Sequence, residues 1–216
     1  MAVRPDRPER LRRTLLLRHG ETAWNAERRF TARSDVELSE HGIAQARALG
    51  DRLATTEIDR IVTSPLRRAR VTAEIVAAAQ GRPVPLREDA RLVEIDAGPF
   101  EGLTPEELEA GPLAEAYRRW HTDEGVVFPE GAETFDSAIE RGGAALREVA
   151  DLPGTTLVST HGSLARVLIT AVIIGAPPDR HRRLWLENAR LAVVEWGRNG
   201  RPRIVAFNVA GLDGGP

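Results

Sequence analysis

LLLRHG (residues 15–20) and LVSTHG (residues 157–162) are two apolar runs of the same character, each ending in His-Gly. A short continuous apolar run closed by turn residues reads as a strand buried on both faces. Open parallel sheets bind ligands at the carboxyl ends of their strands, which is where His19 and His161 fall. If the two strands are neighbours, the imidazoles face one another, and Gly20 and Gly162 let the backbone approach a ligand closely.

Working outward, Arg13 to Arg18 is the first strand. Ser39 to Ala54 is an amphipathic helix capped by Ser39, with Ile43, Ala46, Leu49 and Leu53 along one face. Arg60 to Thr63 is a second strand, and Ser64-Pro65 is expected to open a helix running to about Ala79, with serine as cap and proline in the first turn. Pro105 to Ala110 and Leu113 to His121 read as short helices, Glu133 to Ala150 as a long one, Thr155 to Thr160 as a buried strand and Ser163 to Ile174 as the helix after it. Leu191 to Trp196 and Arg203 to Asn208 are late strands. Strands mostly alternating with helices predict a single-domain three-layer α/β/α fold with a mostly parallel central sheet.

No solenoid-length repeat and no long linker divides the 216 residues. The expected layout is a flexible basic segment at 1–12, one domain over 13–210 with a small helical cap inserted at about 95–134, and a frayed end at 211–216. A formal net charge of -2 gives no basic field for nucleic acid. The most apolar stretch, Leu164 to Ile174, is too short to span a bilayer. The reading is therefore no nucleic acid, no membrane and a cytoplasmic location, with a homodimer compatible but unspecified. The absence of cysteine removes disulfides, thiolate metal sites and a thiol nucleophile.

Arginine is the second component. Arg18 precedes His19, and Arg67, Arg68 and Arg70 follow the Ser64-Pro65 turn, beside a helix start that itself favours anions. Guanidinium forks suit phosphoryl oxygens, although arginines on an exposed helix face are the ordinary alternative for Arg67 or Arg70.

Arg18-His19-Gly20-Glu21-Thr22 with Asn25, then Asp35, Leu38-Ser39, Gly42 and Gln45-Ala46, then Ser64-Pro65-Leu66-Arg67-Arg68-Ala69, then Leu92-Val93-Glu94-Ile95-Asp96 and His161-Gly162, resemble in order the motifs of the histidine phosphatase, or phosphoglycerate-mutase-like, superfamily. The resemblance spans about Thr14 to Leu168. It implies a metal-independent phosphomonoester hydrolase without cofactor, acting on a small phosphorylated metabolite such as a sugar phosphate or phosphoglycerate-type compound. It also implies His19 as nucleophile, Arg18, Arg68, His161 and Gly162 around the transferring phosphoryl group, and Glu94 as proton donor. Thr22 and Asn25 would contact phosphoryl oxygens or orient the loop. Thr31-Ala32 and Ser163 depart from the family's usual Gln-Gly and second glycine.

Two alternatives to hydrolysis remain: a mutase, in which a second hydroxyl receives the phosphoryl group, and a non-catalytic phosphate-binding module. The segment from Glu94 to Gly102 is similar to the small broad-acting phosphatases and lacks the mutases' Glu-Arg-His-Tyr-Gly pattern. All of the family's chemical residues are present, which weighs against a pure binder. Phe100, Tyr117, Trp120 and Phe128 are candidate cap residues whose arrangement the sequence leaves open.

Overall fold

The structure, a computed structural model, describes residues 11–121 and 126–212. Most of the basic start (1–10) and the last four residues of the tail (213–216) lie outside the described residues. Six strands form one sheet: β1 (Arg12–Arg18), β2 (Arg60–Thr63), β3 (Leu86–Glu88), β4 (Gly154–Thr160), β5 (Leu191–Trp196) and β6 (Pro202–Val209), in the order β3-β2-β4-β1-β5-β6. The first four run parallel, and β1 pairs with β4 in a register that sets Arg18 opposite Thr160. The paired strands therefore end together, and both His-Gly turns leave one edge of the sheet side by side.

The apolar runs are buried on both faces, as side-chain alternation along a strand requires. Leu15 and Leu17 point to one face with Leu157, Leu191 and Ile61, and there meet Leu49 and Leu53 of α2 (Glu40–Leu53) and Ala73 and Val76 of α3 (Arg67–Ala78). Leu16, Val62 and Val158 point to the other face, against Ala145 and Val149 of α6 (Phe135–Ala150) and Ala165 of α7 (Gly162–Leu168). Full burial of each such side chain contributes about 1.5–3 kcal/mol, so the doubly covered centre of the sheet is a main source of the fold's stability.

Several local expectations change. Ser64 is not the N-cap of α3: the helix begins at Arg67 behind Leu66, the Ser64 hydroxyl accepts from the Leu66 amide at 3.3 Å and meets His161, and the Arg67 amide donates to Asp35 Oδ1 at 2.6 Å. The expected helix from Ser163 to Ile174 is α7 followed by a π-helical turn, Ile169–Ile174. At that junction the Thr170 hydroxyl donates to the Arg166 carbonyl at 2.8 Å, a side-chain bond that competes with the regular ladder. The late strands are antiparallel, β5 to β1 and β6 to β5. An Asn199-Gly200 turn, with Gly200 at φ +74, joins them as a hairpin. Strand β3 and the short helix α1 (Ala23–Ala26) have too few residues to show periodicity.

The cap carries α4 (Pro105–Ala110) and α5 (Ala114–His121). Its aromatic residues make a core of their own. Phe30 meets Phe100, Tyr117 and Trp120 at centroid distances of 5.9, 6.1 and 5.5 Å. Phe128 packs instead on Phe135 at 4.8 Å.

The loop after β1 is fitted against the start of α2 without room for side chains. A Cβ on Gly42 would lie 2.0 Å from the Glu21 carbonyl oxygen, and one on Gly20 would lie 2.5 Å from that of Gly42. These backbones fix where His19 emerges. Gly42→Ala is expected to lower unfolding free energy by about 1–3 kcal/mol, the usual cost of overpacking, checked by urea denaturation; unchanged stability would contradict the contact.

Candidate active site

His19 and His161 meet with ring centroids 5.2 Å apart at an interplanar angle of 63°. Both are buried, at 3% and 0% exposure. The His19 amide donates to the Thr160 carbonyl at 3.0 Å, which extends the strand pairing one residue into the site. The His19 Nδ1 lies 2.6 Å from the Gly20 carbonyl oxygen, which can only accept, so Nδ1 carries the proton and Nε2 carries the lone pair. His161 Nε2 lies 2.8 Å from the Ser64 hydroxyl, and its buried Nδ1 has no partner.

Two guanidinium groups flank the rings. Arg68 is fully buried and donates to the carbonyls of Ser34 at 2.7 Å and Ala32 at 2.8 Å, and its Nε has no partner. Arg18 donates to the Leu186 carbonyl at 2.7 Å, and its Nε is likewise buried without a partner. Arg18 lies against Gly162, where a Cβ would come within 3.1 Å of that Nε. Among the described residues neither arginine has a carboxylate at ion-pair distance; both are held by carbonyl oxygens, which orient a cation without neutralising it. Arg67 and Arg70 are turned outward, paired with Glu37 and, at 2.8 Å, Glu74.

Burial, then Arg68, then Arg18 hold the His19 imidazole well below its ordinary range. Burial and Arg68 do the same to His161. Burial, with Arg166 as the next cause, lowers Arg18 to about 10. At neutral pH the site therefore presents two neutral imidazoles between two cations, an environment that a bound anion would stabilise. One unit charge at about 4 Å is worth roughly 4 kcal/mol at an effective dielectric near 20.

Glu94 is nearly buried, at 7% exposure, and reaches the start of α7. Its Oε1 accepts from the amides of Ile95 and Leu164, both at 2.8 Å, and Oε2 from that of Ser163 at 2.9 Å. Each carboxylate oxygen has two lone pairs, so Oε2 keeps one acceptor position. The segment carrying Glu94 is gripped from α6. Arg141 donates to the carbonyls of Arg91 at 2.8 Å, Val93 at 2.7 Å and Glu94 at 3.2 Å, and closes on both oxygens of Glu133 at 2.6 and 2.7 Å.

Of the remaining sequence candidates, Asn25 lines the cleft. Its Oδ1 accepts from the Thr22 amide and from Asn188 Nδ2, which leaves its amide nitrogen available. Thr22 does not line that cleft: it is fully buried, and its hydroxyl caps α1 by accepting from the Asn25 amide at 3.2 Å. That bond orients the loop after β1. Four further residues belong to the site without having been singled out for it. Ser64 has the local signature of a helix cap; Asn188, which also donates to the His19 carbonyl at 3.1 Å, Arg141 and Arg166 carry no local signal. A cleft of about 990 Å³ is lined by Arg18, His19, Asn25, Glu94, Gly162 and Asn188 and walled by the cap residues Tyr117 and Trp120 and by His181 and Trp185, whereas the fully buried His161 and Arg68 are not part of its lining. Among the described residues no group of three or more His, Cys, Asp or Glu is placed to hold a metal ion, and no helix is long and apolar enough to cross a membrane.

The depressed histidines give stability a defined pH dependence. Burial, with Arg166 as a further cause, lowers His181 to about 4. An unfolded histidine takes up its proton near pH 6.5, so between there and the folded value the unfolded chain binds more protons, and stability falls as pH falls. Denaturant titrations from pH 7 to 5 should show this loss, and His181→Asn should make it shallower. Equal slopes for both proteins would contradict the assignment.

The chain matches the histidine phosphatase superfamily (branch 1) over residues 14–210. It is 39% identical over 189 residues to a protein of Klebsiella pneumoniae described as "Probable phosphoglycerate mutase GpmB", covering 84% of this chain and 83% of that one. Among solved structures it is similar to Bacillus stearothermophilus YhfR, with a TM-score of 0.82, 30% identity and coverage of 93% and 98% of the two chains. It is also similar to a mycobacterial glucosyl-3-phosphoglycerate phosphatase in complex with VO3, with a TM-score of 0.78, 28% identity and coverage of 92% and 99%. The match runs from the first strand through the last, and the chain belongs to branch 1 of the histidine phosphatase superfamily.

Proposed function

We propose that the protein hydrolyses a small phosphomonoester through a phosphohistidine on His19. The observation that carries this reading is the unneutralised anion site: two buried imidazoles 5.2 Å apart, beside two arginines held only by carbonyl oxygens. His19 Nε2 attacks phosphorus as the ester P–O bond breaks in line. Arg18, Arg68, the Asn25 amide and His161 Nδ1 hold the non-bridging oxygens, and the Gly162 backbone forms the adjoining wall. For His161 to donate from Nδ1 while neutral, its Nε2 accepts from the Ser64 hydroxyl. Glu94 Oε2 protonates the departing alkoxide, then takes a proton from the water that cleaves the N–P bond and returns His19 to its neutral form. This route needs no metal ion or cofactor.

The name of the Klebsiella relative keeps a mutase as the second reading. The acid segment, which lacks the mutases' motif, supports water as the acceptor. Offered 3-phosphoglycerate, the enzyme should release inorganic phosphate; formation of 2-phosphoglycerate instead would favour the mutase. Sustained nitrophenol release from p-nitrophenyl phosphate excludes a pure binding module.

His19→Ala should abolish turnover and the acid-labile phosphoenzyme trapped by rapid quench while the protein stays folded. Wild-type activity in that variant would overturn the mechanism, as would loss of activity in EDTA that a divalent ion restores. Glu94→Gln leaves an amide NH₂ facing the Ser163 amide, so some stability loss is expected regardless of catalysis. The informative readout is the leaving group. The rate should fall about 10²–10⁴-fold on an alkyl phosphate and much less on p-nitrophenyl phosphate, whose phenolate departs without a proton. Equal losses would exclude the acid role.

A further inference from the structure

We propose that Glu133 is a positioning residue that ties the seat of Arg68 and the segment of Glu94 into one unit, so that a single carboxylate places both the phosphoryl-binding cation and the proton donor. The proposal rests on the phosphomonoesterase reading of the cleft and adds to it a residue outside the lining of that cleft.

Glu133 stands one residue ahead of Thr134, the cap of α6, and its side chain is 8% exposed. Its Oε1 accepts from Arg141 Nε at 2.6 Å and from the Ser137 hydroxyl at 3.1 Å. Its Oε2 accepts from Arg141 Nη2 at 2.7 Å, Arg33 Nη2 at 3.0 Å and the Asp96 amide at 3.3 Å. The Glu133 amide returns a bond to the Asp96 carbonyl at 3.0 Å. The start of α6 does not require this arrangement, because the Thr134 hydroxyl already accepts from the Ser137 amide. Ala32, Glu94, Asp96 and Glu133 also line one small cavity of about 80 Å³ adjoining the cleft, so the segments converge in space as well as through their bonds.

One arm of this carboxylate leads to the acid. Arg141, gripped by both oxygens of Glu133, turns its other N–H groups to the carbonyls of Arg91, Val93 and Glu94, and Asp96 is bonded to Glu133 through its amide and its carbonyl. The chain is thereby held on both sides of Glu94, while the amides of α7 orient its carboxylate. The other arm leads to the cation. Arg33 lies between Ala32 and Ser34, whose carbonyls hold the Arg68 guanidinium. Glu101 steadies the same loop through the Ser34 amide, so this arm is the weaker. The Arg33 side chain is 39% exposed, and an ion pair so placed adds little to stability. Its effect is on position, and a displacement of about 1 Å can slow a reaction up to about a hundredfold.

The test compares Glu133→Gln and Arg33→Met with the wild-type enzyme on p-nitrophenyl, phenyl and glycerol phosphates, and measures affinity for inorganic phosphate by calorimetry. Glutamine keeps the shape but turns an NH₂ toward arginine N–H groups. In E133Q, kcat/KM should fall up to about a hundredfold on glycerol phosphate and progressively less toward p-nitrophenyl phosphate, because a displaced acid matters most where the leaving group needs a proton. Phosphate should also bind more weakly. In R33M, phosphate affinity should fall about two- to fivefold, the size of a partly exposed ion pair, with the dependence on leaving group unchanged. Equal losses on all three substrates in E133Q, or lost stability alone, would reduce Glu133 to a structural ion pair and overturn the proposal, as would undiminished phosphate affinity in R33M. Should E133Q not fold, Arg141→Lys keeps a cation beside Glu133 but gives up the carbonyl bonds. The same leaving-group dependence is then expected with phosphate affinity unchanged, and its absence would overturn the acid arm. Failure of the wild-type enzyme to release phosphate from p-nitrophenyl phosphate would instead sink the phosphomonoesterase reading, and the phosphate affinities of R33M and E133Q would then decide.

Discussion

The parallel pairing of β1 with β4 is the constraint from which the site follows. Because Arg18 lies opposite Thr160 and the His19 amide continues the ladder onto the Thr160 carbonyl, both His-Gly turns leave the sheet at the same level. A register shift of one residue would turn every side chain of one strand to the opposite face. That shift is opposed by Leu15, Leu16 and Leu17, which are buried on alternating faces. The apolar core thus helps to fix the distance between the two imidazoles.

On this frame the molecule keeps charge where burial disfavours it. Arg68 is fully buried among carbonyl oxygens, and the neutral histidines beside it cannot share its charge. Charge buried in this way costs stability, and a bound anion would offset that cost. The carbonyls of residues 32, 34 and 186 hold the guanidinium planes in place. Little reorganisation then remains for the moment of reaction.

Glu94 is positioned by two elements of different kinds. Helix α7 offers it the amides of Ser163 and Leu164, and α6 offers Arg141, which binds three carbonyls of the segment from Arg91 to Glu94. The helix that follows β4 therefore serves the whole cleft. His161 stands at its N-cap position, Gly162 admits Arg18, the Ser163 amide holds the Glu94 carboxylate and Arg166 lines the cleft. Loop 184–190 closes the same region from above, with Leu184 and Leu186 accepting from Arg166 and Arg18 and Asn188 tying Asn25 to the His19 backbone.

What the sequence determined by itself was whatever depends on neighbours along the chain. The apolar runs ending in His-Gly, the Ser39 cap, the period of α2 and the order of strands and helices are local patterns, and they carry the fold class and the paired histidines, whereas Arg68 stands out from Arg67 and Arg70 only through the family resemblance. Tertiary structure decided what depends on partners far apart. Ser64 stands where a helix cap belongs, and only the arrival of His161, ninety-seven residues later, gives its hydroxyl another partner. Arg141, Arg166 and Asn188 look like any polar residue on a helix or loop until packing brings them to carbonyls and side chains from other elements. The direction of β5 and β6 was open for the same reason: a buried strand has the same alternation whichever way it runs, and its neighbour sets the direction.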